Sequence, residues 1–306
     1  MLLVKNSLGT ESIRGWIMKK YRTVGNCFMD IIIYLVMVFV LLACLIPFIY
    51  MISVSLSDSK AIINNKVSLI PIGVNFEAYK QIFTYPNFFR AYGNTIFYTI
   101  TGTIISLLMT TLFAYPLSKP NLKGQKFAMK IVVFSMFFSG GLIPNYLLIS
   151  NLGLTGTRFA MLLPFAINQF NLIILINFFK SIPLELEEAA FIDGLGYFGV
   201  LKKIVVPLSK AALATVGLYT AVFFWNDWFN GLIYLNTKQY PVMLFLRNIV
   251  NGTSMVGDAA GAADKATIAI SIKSAVIITS TLPIIILYPF LQKYFVKGLT
   301  VGSVKG

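Results

Sequence analysis

Long apolar runs, separated by short polar and mostly basic stretches, dominate the chain. A membrane-crossing helix needs about 20 mostly apolar residues. Six runs qualify: Ile31–Val54, Tyr92–Tyr115, Ile131–Ile149, Met161–Phe179, Ala211–Tyr234 and Ile268–Gln292. Asp227 interrupts the fifth and Lys273 the sixth. No regular alternation of apolar and polar positions marks a barrel, so the pattern predicts an all-α membrane protein with six transmembrane helices. Pro47, Pro144 and Pro283 fall inside these runs, where they mark either kinks or ordinary packing variation.

Polar segments supply the topology. Hydrophobic residues make up 57% of the chain and charged ones 12%, about half the share in a soluble domain. With the N-terminus inside, the inward segments hold 16 Lys and Arg and the outward ones 8, so the positive-inside rule predicts both termini cytoplasmic. The same bias accounts for most of the net charge of +14 and removes the case for nucleic acid as a partner. Residues 1–30 read as a cytoplasmic N-terminal segment and 31–306 as the membrane domain. The first run is too long for a signal-peptide core and is expected to be retained. Cys27 and Cys44 are the only cysteines, and Cys44 lies in a span, which argues against a disulfide framework; histidine is absent. The outward loop Ser55–Arg90 is expected to carry a short amphipathic helix over Phe76–Phe83, and the Gly- and Ala-rich Gly252–Ala263 is expected to be mobile.

One inward loop, about residues 182–207, is too charged and too regular to be a simple connection. Ile182-Pro183 favours a helix start, and Glu185, Glu187 and Glu188 suit the positive end of that helix. Ala189 and Ala190 leave a small surface, Asp193-Gly194 provides a stop, and Tyr197–Ile204 can form a second helix before Pro207. The expected product is a bent helix pair that receives a push from a soluble partner. The spacing is Glu188-Ala189-Ala190, three residues, Gly194, nine residues, Ile204, one residue, Val206-Pro207.

This pattern resembles the EAA loop of ABC importer permeases; Val206 stands where the family usually has Leu. Asn94-Thr95, Ala114-Tyr115-Pro116-Leu117-Ser118, Trp225-Asn226-Asp227-Trp228 and the tail Tyr294–Gly306 extend the resemblance to the sugar-type, maltose-transporter class. The opening of the first span and Gly141–Leu154 are similar to its oligosaccharide subgroup. The resemblance implies the type I ABC importer permease fold in a bacterial plasma membrane. It also implies a sister permease, two ATP-binding subunits and an extracellular solute-binding protein, with a carbohydrate as cargo. Glu187, Glu188, Ala189, Ala190, Asp193, Gly194, Ile204 and Pro207 would then couple the chain to its ATPase. The chain has no phosphate-binding G-x-x-x-x-G-K-[ST] segment, so ATP and Mg are expected on the partner and no cofactor on this chain.

Polar side chains within spans are costly and tend to face a wet interior. Asn168, Gln169 and Asn171 fall near mid-membrane, and their amides match sugar hydroxyls. Tyr219, Trp225 and Asn226 complete the candidate substrate path. The competing reading for the amides is interhelical hydrogen bonding, and for Trp225 and Trp228 an interfacial aromatic belt. An importer of another solute and a secondary transporter remain the alternatives; the latter would need intramembrane carboxylates or a repeated half.

Overall fold

The computed structural model describes residues 24–85, 87–250 and 270–286. Among these, every regular element is helical. The chain divides into two compact units, Met1–Asn75 and Phe76–Gly306.

In the first unit, α1 (Val24–Ser55) carries Pro47 inside it, and its stretch Phe28–Ser55 is almost wholly apolar. Its apolar side chains from Phe28 to Tyr50 are almost all exposed, as lipid contact requires. After α1, the chain folds back on the helix end. Ser53 Oγ donates to Leu69 O at 2.7 Å and Asp58 N donates to Ile72 O at 3.0 Å. A single-turn α2 (Ser59–Ile63) lies within this fold-back.

The second unit opens with α3 (Glu77–Thr84), one residue from the expected amphipathic helix, and α4 (Phe88–Leu117). Then come α5 (Gln125–Phe137), α6 (Leu142–Asn151), the one-turn α7 (Phe159–Leu162) and α8 (Gln169–Lys180). The loop helices are α9 (Leu184–Ile192) and α10 (Tyr197–Leu208), followed by α11 (Lys210–Asn226), α12 (Phe229–Tyr234) and α13 (Val242–Val250). The last described helix is α14 (Ile270–Ile286), inside the range expected for a sixth span. Gly252–Ala263 and Tyr294–Gly306 lie outside the described residues.

Three of the expected spans are not continuous, the fifth being interrupted at Asp227-Trp228 between α11 and α12. The run Ile131–Ile149 is divided into α5 and α6, which meet at 115°. Gly140-Gly141 sits at that corner, and Gly141 takes φ +89, a conformation that favours glycine. The run Met161–Phe179 is divided by non-helical residues 163–168, which include Pro164. Hydropathy is blind to the breaks at 138–141 and 163–168 because the residues there stay mostly apolar. Helices Phe28–Ser55 and Phe88–Leu117 are long and apolar enough to cross a membrane; counting each bent pair as one span raises the number to four among the described residues.

Helix α4 is the spine of the second unit. At 30 residues it is about 45 Å long, and α8 and α11 pack along it. The main core joins Ala114, Leu117, Leu172, Leu175, Ile176 and Val216 from these three helices. Close approach depends on small residues, the usual solution where lipid offers no hydrophobic drive to associate. Gly102 of α4 lies against the ring of the buried Phe224 of α11, and Gly217 of α11 lies against Leu107. A side-chain atom at Gly102 would penetrate the Phe224 ring. Gly102→Val is therefore expected to overpack the α4–α11 contact at a cost of about 1–3 kcal/mol. Thermal aggregation of the detergent-purified protein should fall by several degrees, and a transition matching wild type would contradict this packing account.

Candidate functional site

The loop that follows α8 is built by local backbone chemistry. Pro183 caps α9 with φ −57, and Glu185 and Glu187 occupy its first turn. At the other end Gly194 N donates to Phe191 O and Leu195 N donates to Ala190 O, both at 3.0 Å. Gly194 has φ +83. This is a Schellman stop, the reason a glycine is needed one residue after Asp193. Helix α10 contains a π-turn over Leu201–Val205, just before Pro207. Pro207 has no N–H to return to the preceding turn, and the widened turn accommodates it. Helices α10 and α11 then meet at 83°.

The loop has two faces. Glu188, Ala189, Asp193, Gly194 and Pro207 are exposed, together with Ile192, which is 86% exposed, and Tyr197 and Phe198. Such a cluster of exposed apolar groups beside carboxylates is unusual for a connecting loop. Ala190 and Glu187 instead point inward, one helical turn apart. Ala190 enters the main core with Val200, Leu201 and Val205, and Ile204 is half-buried against the same cluster. The smallness of Ala190 thus serves packing within the chain.

Glu187 is 3% exposed and forms an ion pair with Lys119, just past the end of α4. Tyr115 Oη donates to the other carboxylate oxygen at 3.3 Å, and the Lys119 ammonium lies 4.6 Å from the Tyr115 ring centre. It is the only ion pair among the described residues. The sequence placed Glu187 with Glu188 on the coupling face; the structure divides them, one clamped to α4 and one open.

Farther along α4 lies a cavity of about 580 Å³. It is bounded by Ser106 of α4, by Asn168, Gln169 and Asn171 at the start of α8, and by Tyr219 and Thr220 of α11. Ser106 is 18 residues from the α4 start, about 27 Å along its 45 Å length. The break before α8 forms its wall, and irregular backbone at membrane depth is tolerated only beside protein or a wet cavity. Asn168 Oδ1 accepts from Asn171 N at 3.1 Å and so caps α8. Asn171 Nδ2 donates to Thr220 Oγ1 at 3.2 Å, joining α8 to α11. Both amides therefore also serve the structure. The Ser106 hydroxyl is buried with no hydrogen-bond partner among the described residues. Tyr219, Phe170 and the tilted pair Phe165–Phe223 give the cavity aromatic faces.

Trp225 and Asn226 lie elsewhere. Trp225 is buried, and its Nε1 donates to Ser280 O of α14 at 3.2 Å. Asn226 Nδ2 returns to Val222 O within α11. Asp227 starts α12: its carboxylate accepts from Asn230 N at 3.1 Å and Asn230 Nδ2 at 2.8 Å.

No family model matches the chain. Individual proteins do. The chain is 43% identical to protein LplC of Bacillus subtilis over 264 residues, 86% of this chain and 90% of that one. It is 41% identical over 287 residues to the polygalacturonan/rhamnogalacturonan transport system permease protein YtcP of Bacillus subtilis, covering 92% and 99%. Among solved structures, a chain of a bacterial ABC transporter involved in the import of the acidic polysaccharide alginate superposes with a TM-score of 0.84 at 35% identity, covering 90% and 99%. The apolar helices, the loop built on the EAA spacing and these likenesses agree: the chain belongs to the sugar-type permeases of ABC importers, membrane transport subunits rather than enzymes.

Proposed function

We propose that this permease forms, with a sister permease, the path by which an oligosaccharide enters the cell, and that the α9–α10 loop receives the stroke of a separate ATPase. Six spans with both termini cytoplasmic place that loop inside, next to the ATP-binding subunits that hold ATP and Mg. An external solute-binding protein delivers the sugar from the other side. The relatives named for polygalacturonan and alginate favour an acidic, uronate-containing cargo.

The observation that carries this reading is the common frame of the loop and the cavity. Glu188 and the exposed Ala189, Ile192 and Tyr197 offer a carboxylate and an apolar surface for an ATPase groove. Behind them, Glu187 grips Lys119 and Tyr115, and Ala190 sits in the core shared by α4, α8 and α11. Those three helices also wall the 580 Å³ cavity. A displacement of α9 therefore cannot stay local: it moves the walls. ATP binding closes the ATPase pair, draws the loops inward and turns the cavity outward. Within it, Gln169 and Asn168 present amides to sugar hydroxyls and Tyr219 presents a ring to an apolar sugar face. The partial positive charge at the start of α8 suits an anionic group.

ATP-driven uptake of labelled oligogalacturonate into proteoliposomes holding the assembled transporter tests the reading; ATP-independent uptake by this chain alone would overturn it. Gly194→Val forces a β-branched residue into positive φ, a strain of about 1–3 kcal/mol. Uptake should be lost while the chain still inserts, and normal uptake would contradict the loop's role. Lys119→Gln leaves the Glu187 carboxylate buried without its cation, at a cost on the order of 3 kcal/mol. The assembled complex should keep hydrolysing ATP while uptake falls about tenfold or more, and exchanging the two charges (Lys119→Glu with Glu187→Lys) should restore part of it. Equal loss of hydrolysis and uptake would mean that the pair only supports folding.

A further inference from the structure

The end of α4 remote from the Glu187 clamp holds a second cavity, of about 140 Å³. Its roof is the segment between α12 and α13, pinned to α4 by the Asn94-Thr95 pair. Asn94 Nδ2 donates to Lys238 O at 3.1 Å and to Tyr240 O at 3.2 Å, and Val242 N donates to Thr95 Oγ1 at 2.8 Å. Tyr98 Oη adds a bond to Gln239 O at 3.0 Å. The result is a fixed recess with Arg90 on the helix wall and Lys238 on the roof.

The lining is cationic and, among the described residues, contains no carboxylate. Arg90 Nη1 donates to Asn87 Oδ1 at 2.9 Å, which orients the guanidinium while using one of its five N–H donors. Lys238 forms no ion pair among the described residues. A third cation, Arg158, sits behind the recess, where its Nη2 donates to Asn94 Oδ1 at 3.3 Å. The Tyr85 and Tyr240 rings and the Asn87 amide complete the walls, with Tyr85 braced edge-on against Phe245 at 5.2 Å. Two exposed cations on different elements of a recess also lined by two tyrosines match one unit of a chain of sugar acids. The carboxylate meets Arg90 and Lys238, and the ring lies against tyrosine.

We propose that this recess is an entry subsite for a single uronate unit of the transported oligosaccharide. The proposal rests on the acidic-cargo reading above and adds where the charge is first recognised. The recess is on the side of the membrane opposite the coupling loop, where cargo arrives. Its volume admits one sugar ring, so the rest of the oligosaccharide stays outside.

The test is direct binding of trigalacturonate, and of its carboxyl-reduced neutral counterpart, to the purified assembled transporter without external binding protein. The wild-type complex should prefer the acid. Arg90→Gln and Lys238→Gln should each weaken acid binding by about three- to tenfold. Neither should change binding of the neutral trimer, Arg90→Lys should keep most of the affinity, and added salt should shrink the difference. Unchanged acid binding in both variants would overturn the subsite, as would equal loss for acid and neutral trimers. Variants that bind the trimer normally but hold the loaded binding protein less tightly would show a protein-docking surface instead, and also overturn it. Wild-type transport of neutral oligosaccharides only would remove this subsite while leaving the importer reading in place.

Discussion

The architecture turns on a buried charge that had to be answered. Glu187 lies at 3% exposure, and a lone carboxylate there would carry a large desolvation cost. Lys119 and Tyr115 answer it from the end of α4. Loop and spine are joined by a contact that neither can leave cheaply. The adjacent Ala190 reinforces the joint, since its small side chain lets α9 approach the core of α4, α8 and α11 closely. The open side of α9 is thereby tied to the helices that bound the cavity.

The breaks in the helices follow a second constraint. Backbone inside hydrocarbon must satisfy its hydrogen bonds, so interruptions survive only where side chains or a wet cavity replace lipid. The break before α8 is capped by Asn168 and opens onto the cavity; the break before α12 is capped by Asp227. The two ends of α4 carry opposite chemistry for the same reason of placement. One end holds the paired charges of Glu187 and Lys119, and the other the Asn94-Thr95 staple and a recess lined by Arg90 and Lys238.

Much of this was legible in the residues, though not evenly. The glycine stop at Gly194, the proline at the α9 start and the small Ala189-Ala190 pair each have local causes, and the structure contains the helix pair they predict. Asn168, Gln169, Asn171 and Tyr219, singled out by their depth in the apolar runs and their amide or aromatic chemistry, line one cavity. Local pattern could not tell Glu187 from Glu188, because which one turns inward depends on how α9 packs on distant Tyr115 and Lys119. Trp225 reads as a path or interface residue from its place in the run; its actual bond is to Ser280, 55 residues away. The corners at 138–141 and 163–168 escaped the apolar pattern, although Gly140-Gly141 and Pro164 marked them. The Asn94-Thr95 signature had no visible reason until the 238–242 segment was seen resting on it.

The central claim is that the coupling loop controls which side of the membrane the cavity faces. A single cysteine in place of Tyr219, with Cys27 and Cys44 changed to serine, reports that directly. Its reaction with a membrane-impermeant thiol reagent added outside would be followed in the assembled transporter. The account predicts slow labelling without nucleotide and labelling faster by about tenfold or more when a non-hydrolysable ATP analogue closes the ATPase, with the increase lost in Glu187→Gln. Labelling that ignores nucleotide, or that responds equally with and without the Glu187 carboxylate, would contradict it.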